Sequence, residues 1–189
     1  MMEILSKVDI GNLGNYADRE NSYDDNAEIN LVTKWFSQDG YTVRAKPYGS
    51  MGVDIAVYKE DKFLFYADLE RYDYVNWPEG FWKCHSFLKR KHRYLTDEPY
   101  KGKNFKMIWV NKNFTKIIIV SKPDIENSPF QSFSVNGKRD PKGRISVPLE
   151  KGHMFGTNFT EYEKKMFNAT ELWNTQDKRN PEHIITSGH

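Results

Sequence analysis

Residues 52–70, GVDIAVYKEDKFLFYADLE, limit the fold of this chain more than any other stretch. Two apolar runs flank a short charged tip, KEDK, and this pattern predicts an antiparallel β-hairpin. Acidic residues interrupt the pattern, because Asp54 stands near the start of the first strand while Asp68 and Glu70 stand near the end of the second. A functional interpretation has to explain why three carboxylates occupy the most strand-like segment of the chain.

Strand geometry allows these carboxylates to meet. Side chains alternate between the two faces of a strand, so Asp68 and Glu70 point the same way. If three tip residues form the loop, Lys59 pairs with Phe63 and Asp54 lies opposite Asp68, whereas a two-residue turn shifts this register by one. Clustered carboxylates repel one another in a protein, and a divalent cation such as Mg²⁺, which prefers oxygen ligands, removes that repulsion.

A helix is predicted before the hairpin, over residues 26–38, with an N-cap at Asp24 or Asp25 and an end near Gly40. On a helical wheel with about 100° per residue, Glu28 falls in the middle of the apolar arc. A carboxylate buried there is costly unless it is paired or bound to a metal. The alternative is that Glu28, in the first turn, favours the helix dipole and reaches solvent.

The rest of the pattern predicts an α/β (α+β) fold with further strands, a second hairpin and a closing helix. The further strands are expected at residues 41–48 and 143–150, the second hairpin at 105–121 and the closing helix at 159–173. The length of 189 residues suits a single domain over residues 1–189. Its core is expected at about residues 24–120, followed by an irregular extension over 121–189.

Composition narrows the class of protein. A hydrophobic content of 38% predicts a folded chain, and a net charge of +2 does not by itself indicate a nucleic-acid binder. Cys84 is the single cysteine, which excludes an internal disulfide and argues against a structural zinc cluster. The chain has no apolar run near the roughly 20 residues of a membrane span and no signal-peptide pattern. We therefore expect a cytoplasmic protein that does not enter a membrane.

Positive charge is concentrated between the two hairpins. KCHSFLKRKHRYL, residues 83–95, contains five Lys and Arg side chains mixed with aromatic ones, as surfaces that bind nucleic-acid phosphates do. The candidates for nucleic-acid contact are Lys89, Arg90, Lys91 and Arg93. The alternative is a solvated basic face with Phe87 and Leu88 packed inward. Periodicity allows either a short strand or a helix here.

Together these motifs resemble the PD-(D/E)XK nucleases, a superfamily that includes restriction enzymes, resolvases and many phage nucleases. The superfamily pattern is a helix bearing Glu, then G-x-D on a strand, then (D/E)-x-K on the next strand. In this chain it reads Glu28, GVD ending at Asp54, and DLE over residues 68–70. The resemblance spans roughly residues 24–120 and implies a restriction-endonuclease-like core, with a central mixed sheet of about four to five strands flanked by helices.

The resemblance implies a Mg²⁺-dependent DNA endonuclease in which Mn²⁺ substitutes for Mg²⁺. Asp54, Asp68 and the carbonyl of Leu69 would bind the metal, and Glu28 would bind a water on the metal or a second metal. Glu70 stands where the superfamily usually has Lys, and it would hold or activate the attacking water. Lys91, Arg90 or Lys89 is then expected to supply the missing positive charge, with Lys91 assigned to the catalytic set.

The small size suggests an enzyme of a phage or mobile element, acting in the host-cell cytoplasm. A junction resolvase of this class would act as a homodimer.

Two other functions stay open. The first is an inactive nucleic-acid-binding protein of the same fold, which the missing motif lysine favours. Retention of all four acids opposes it, because an unused acidic cluster destabilises the protein through repulsion. The second is an unrelated α+β interaction protein with solvated carboxylates, in which Glu28 would be exposed and the hairpin acids would diverge.

Overall fold

The computed structural model describes residues 26–49, 51–72, 84–131, 134–135, 138–139, 143–168 and 185–186. Three sequence-based expectations lie outside these ranges: the N-cap at Asp24 or Asp25, the cation Lys83, and residues 169–173 of the closing helix.

Within the described ranges the chain forms four α-helices and twelve strands. The helices are α1 (Asn26–Ser37), α2 (Arg93–Thr96), α3 (Lys122–Glu126) and α4 (Glu161–Asn168), with 3-10 helices at Lys89–His92 and Leu149–Lys151. The first six strands are β1 (Thr42–Ala45), β2 (Ile55–Lys59), β3 (Lys62–Arg71), β4 (Cys84–Leu88), β5 (Phe105–Val110) and β6 (Lys116–Ser121). The others are β7 (Phe130–Gln131), β8 (Ser134–Val135), β9 (Lys138–Arg139), β10 (Arg144–Pro148), β11 (His153–Gly156) and β12 (Ile185–Thr186).

A mixed sheet lies at the centre of this α/β arrangement, in the order β11-β6-β5-β3-β2-β1-β12. It has six strands of four or more residues and the two-residue edge strand β12. Its neighbours pair antiparallel except β3 and β5, which are parallel. The expectation of four to five strands was too low, because β11 from the supposedly irregular extension pairs with β6.

The two faces of β3 pack against different layers. Ala67 and Leu69 belong to the apolar cluster that includes helix α1. Tyr66 and Tyr72 belong to a second cluster, which includes apolar side chains of β4 and β10. Strands β4, β10 and β7 form a separate small sheet. Strand β3 is therefore covered on both sides, so side chains on its two faces enter separate environments.

The β2–β3 hairpin keeps the predicted register near the acids but not at its tip. Ile55 pairs with Ala67, which is the register that puts position 54 opposite position 68. At the tip, however, Lys59 pairs with Lys62 rather than with Phe63, so the loop has two residues. A β-bulge beyond Val57 restores the inner register.

Several predicted elements are confirmed. Helix α1 matches the predicted segment, and the second hairpin forms as β5 and β6. The basic segment proves to contain both alternatives, since strand β4 is followed directly by a 3-10 helix and α2. Phe87 and Leu88 are buried, as the alternative reading of that segment expected. None of the helices in the described ranges is long and apolar enough to span a membrane.

Candidate active site

Strand β3 brings Asp68 and Glu70 to one face of the central sheet, as their spacing predicted. Both residues are buried, with exposed fractions of 5% for the whole of Asp68 and 4% for the whole of Glu70. They alternate with Ala67 and Leu69, so they share the face of Tyr66 and Tyr72 rather than the face that packs on α1. Buried carboxylates require a charged or hydrogen-bonding partner.

Lys91 supplies that partner from the segment that follows β4. Its Nζ lies 2.7 Å from Asp68 Oδ2 and 3.6 Å from Glu70 Oε2. Lys91 itself is only 9% exposed, because the 3-10 helix Lys89–His92 directs it inward. The structure therefore places one of the three basic residues expected to replace the motif lysine against both acids. One ammonium facing two carboxylates leaves this buried triad with a formal charge of −1.

The side chain of Asp54 contacts the backbone of the same strand. Strand β2 begins one residue later, at Ile55, while β3 continues to Arg71. Asp54 Oδ2 accepts a hydrogen bond of 2.7 Å from the N–H of Leu69. Leu69, whose carbonyl was predicted to bind a metal, pairs in register with Ile108 of the parallel strand β5. Asp54 thus fastens the start of β2 to β3 between the two acids at positions 68 and 70.

Glu28, on helix α1, contacts the opposite face of β3. Its Oε1 lies 3.0 Å from Nε of Arg71, which alternates with Glu70 along the strand. The Arg71 guanidinium also stacks 5.4 Å from the ring of Phe114, in the cluster that contains α1. Glu28 is 1% exposed, so the alternative in which it reaches solvent is wrong. The hypothesis of an unrelated interaction protein required an exposed Glu28, so the burial of Glu28 argues against it.

The carboxylates of Asp68 and Glu70 are suitable ligands for Mg²⁺. Mg²⁺ in proteins usually takes one or two carboxylates and keeps several waters, and Asp68 and Glu70 meet that requirement chemically. In the part of the chain that the structure describes, no group of three or more His, Cys, Asp and Glu side chains is arranged to hold a metal ion. The predicted metal set of Glu28, Asp54, Asp68 and the Leu69 carbonyl is thus not assembled, and a metal at Asp68 and Glu70 would share them with Lys91.

A clamp that sequence reasoning missed holds the loop before Asp54. Three side chains of residues 93–100 bind backbone groups of three successive loop residues. Arg93 Nη2 donates to Met51 O at 2.7 Å, Tyr94 OH donates to Gly52 O at 3.0 Å, and Val53 N donates to Tyr100 OH at 3.3 Å. Burial and the nearby Asp68 carboxylate raise the pKa of Tyr94 to about 12, so its hydroxyl stays protonated and donates. No signal in the sequence linked these distant positions.

The predicted phosphate-binding residues other than Lys91 lie at the surface. Lys89 and Arg90 are partly exposed, and Lys89 Nζ lies 5.8 Å from the ring centroid of Phe130. Arg93 is exposed while it binds Met51. Lys91, by contrast, points into the acidic pair, so the four basic residues divide into one buried side chain and three at the surface.

Comparisons with known proteins leave the family of the chain open. No protein-family model matches it, and no significant match is found among curated proteins or among solved structures.

Proposed function

We propose that this chain is a Mg²⁺-dependent DNA endonuclease with a restriction-endonuclease-like core. The observation that supports this function best is the buried triad of Asp68, Glu70 and Lys91, with Lys91 Nζ at 2.7 Å and 3.6 Å from the two carboxylates. It combines two acids and a lysine, the residue types of the (D/E)-x-K motif, although the lysine comes from a different element.

The order of elements also supports the proposal. Helix α1 is followed by β1, the β2–β3 hairpin and then β5, which lies parallel to β3. This is the succession of helix, strand, hairpin and further strand that the resemblance implies. The connection between β3 and β5 includes Lys91, so the crossover delivers the cation to the end of β3 where the acids stand.

The residues divide the chemistry as follows. Asp68 and Glu70 would hold Mg²⁺, which would supply Lewis acidity at the scissile phosphate and lower the pKa of an attacking water. Lys91 stabilises negative charge that develops on the phosphate oxygens. Asp54, bonded to the N–H of Leu69, positions the segment of β3 between the two acids. Glu28 acts as a positioning residue, since its ion pair with Arg71 ties α1 to β3.

A second function, nucleic-acid binding without cleavage, is favoured by one specific observation. Arg71 pairs with Glu28, and Lys91 pairs with Asp68 and Glu70. These ion pairs offset part of the repulsion that an unused acidic cluster would create. Retention of the acids therefore argues less strongly against an inactive protein.

Plasmid cleavage separates the two functions. The protein is incubated with plasmid and linear DNA in Mg²⁺, Mn²⁺ or EDTA, alongside the variants Asp68→Asn and Glu70→Gln. Glu150→Gln, which removes an exposed acid, serves as the matched control. We expect metal-dependent cleavage in wild type and the control, and a loss of more than a hundredfold in both site variants, as for other groups that act on the transition state.

Binding without cleavage in both Mg²⁺ and Mn²⁺ would support the second function and refute the first. Thermal unfolding with and without Mg²⁺ gives an independent readout, since a ligand bound only to the native state raises Tm. A homodimer and a cytoplasmic location stay predictions.

A further inference from the structure

The loop that precedes Asp54 is held by hydrogen bonds but displays two large side chains outward. Tyr48 is 46% exposed and Met51 is 53% exposed. The clamp from Arg93, Tyr94 and Tyr100 fixes the backbone of Met51 and of the two residues after it. Exposed apolar groups on a fixed loop indicate a contact surface more strongly than the same groups on a freely moving one, because a preorganised surface loses less entropy on binding.

Tyr48 belongs to a cluster of four tyrosine rings, of which the other three are buried. Tyr48 packs edge-on against Tyr66 and Tyr100, with ring centroids 5.7 Å and 5.5 Å away, and Tyr100 packs in the same way on Tyr94 at 5.3 Å. Tyr48 OH lies 2.7 Å from Tyr66 OH. Tyr66, Tyr94 and Tyr100 are buried, so Tyr48 is the member of the group that reaches the surface.

An exposed arginine borders this loop, and a tyrosine that binds the loop lies near Asp68. Arg93 is exposed, and its guanidinium carbon lies 5.0 Å from the ring centroid of Tyr94. Asp54 follows the loop directly, and Lys91 precedes Arg93 by two residues. The Tyr48 ring and the Met51 thioether thus stand on the loop that Arg93 and Tyr94 bind, and Tyr94 lies near Asp68 of the triad. These groups fit the flat face of a nucleobase and its phosphate.

We propose that Tyr48, Met51 and Arg93 form a platform that binds single-stranded DNA. An unpaired base stacks on Tyr48 and Met51, and the adjoining phosphate pairs with Arg93. A duplex keeps its bases stacked on each other, so the platform favours unpaired substrate. This inference rests on the proposed function, because it places a strand next to Asp68 and Glu70, but binding can be measured without cleavage.

The test measures fluorescence anisotropy of a short labelled oligothymidylate, and of a duplex of the same length, in EDTA. Tyr48→Ala should weaken single-strand binding about tenfold, the usual effect of losing one stacked base. Tyr48→Phe keeps the ring and should bind within about twofold of wild type. Tyr162→Ala is the matched control, because Tyr162 is 72% exposed on helix α4. Thermal unfolding confirms that each variant is folded.

Equal binding of the single strand by Tyr48→Ala and wild type would overturn the platform. So would a loss of binding in Tyr162→Ala as large as that in Tyr48→Ala, or a loss in Tyr48→Ala that is as large for the duplex as for the single strand. The absence of any nucleic-acid binding would overturn it too. The proposed function is scored separately by plasmid cleavage. Cleavage that needs Asp68 with binding that ignores Tyr48 refutes the platform alone. Binding that needs Tyr48 without metal-dependent cleavage refutes the endonuclease and supports the platform.

Discussion

Replacing Lys91 with methionine keeps most of the side-chain volume and removes the ammonium from the triad. The three side chains are 11%, 7% and 5% exposed for Lys91, Asp68 and Glu70, so solvent cannot compensate for the lost charge. Deleting one partner of a buried ion pair typically costs about 3–5 kcal/mol, and Lys91 pairs with two carboxylates here. For a chain of this size, about 3 kcal/mol corresponds to a fall in Tm of about 10 °C.

Urea denaturation of wild type and Lys91→Met measures this loss directly. The triple variant Lys91→Met/Asp68→Asn/Glu70→Gln, which removes both carboxylate charges as well, should recover most of the stability. Mg²⁺ should stabilise Lys91→Met more than wild type, because the metal no longer shares the carboxylates with an ammonium. A loss below about 1 kcal/mol, or a triple variant no more stable than Lys91→Met, would refute the claim that the triad is an obligatory buried ion pair.

Three further predictions concern other parts of the molecule. Glu28→Gln should lower the free energy of unfolding by about 2 kcal/mol, because it removes the charge that pairs with Arg71. Titration calorimetry should show unchanged Mg²⁺ affinity in this variant. A lost affinity would contradict the assignment of Glu28 to the other face of β3. Burial lowers the pKa of His85 to about 4 from 6.5. Between these values the unfolded chain binds more protons than the folded one, so stability should fall by about 3 kcal/mol as the pH drops from 6.5 to 4. His85→Gln should flatten that part of the curve in urea denaturation, and an unchanged slope would contradict the cause. Finally, Glu60 and Asp61 both have positive φ in the two-residue turn. Glu60→Asn combined with Asp61→Gly should therefore stabilise the protein by about 1 kcal/mol, measured by scanning calorimetry. A lower Tm would be inconsistent with a strained turn.

Sequence reasoning located the acids of β3 correctly because the strand period depends on local geometry. Alternation alone put Asp68 and Glu70 on one face, and the structure agrees, with Arg71 on the other face. It also ranked Lys91 among the cations that could approach the acids. That ranking rested on proximity along the chain, and the distance of 2.7 Å to Asp68 depends on the 3-10 turn that follows β4.

The same reasoning grouped Glu28 with the wrong partners. A helical wheel shows that a side chain faces the sheet, but it cannot show which residue of the sheet lies beneath it. Glu28 was placed with Asp54 and Asp68, whereas it meets Arg71 on the face that packs against α1. The clamp by Tyr94 and Tyr100 was also out of reach, since its contacts join positions 42 and 47 residues apart. Long-range contacts of this kind leave no period in the sequence.

Because of the bulge in β3, the length of the hairpin tip does not determine which positions lie opposite the acids. Leu64 is the extra residue, because Tyr58 pairs with Phe63 while Val57 pairs with Phe65. A chain that lost Leu64 would have a regular hairpin and would still hold position 54 opposite position 68. A deletion between Phe65 and Asp68 would instead turn the acid toward helix α1. Insertions and deletions should therefore be tolerated on the outer side of the bulge and selected against on the inner side.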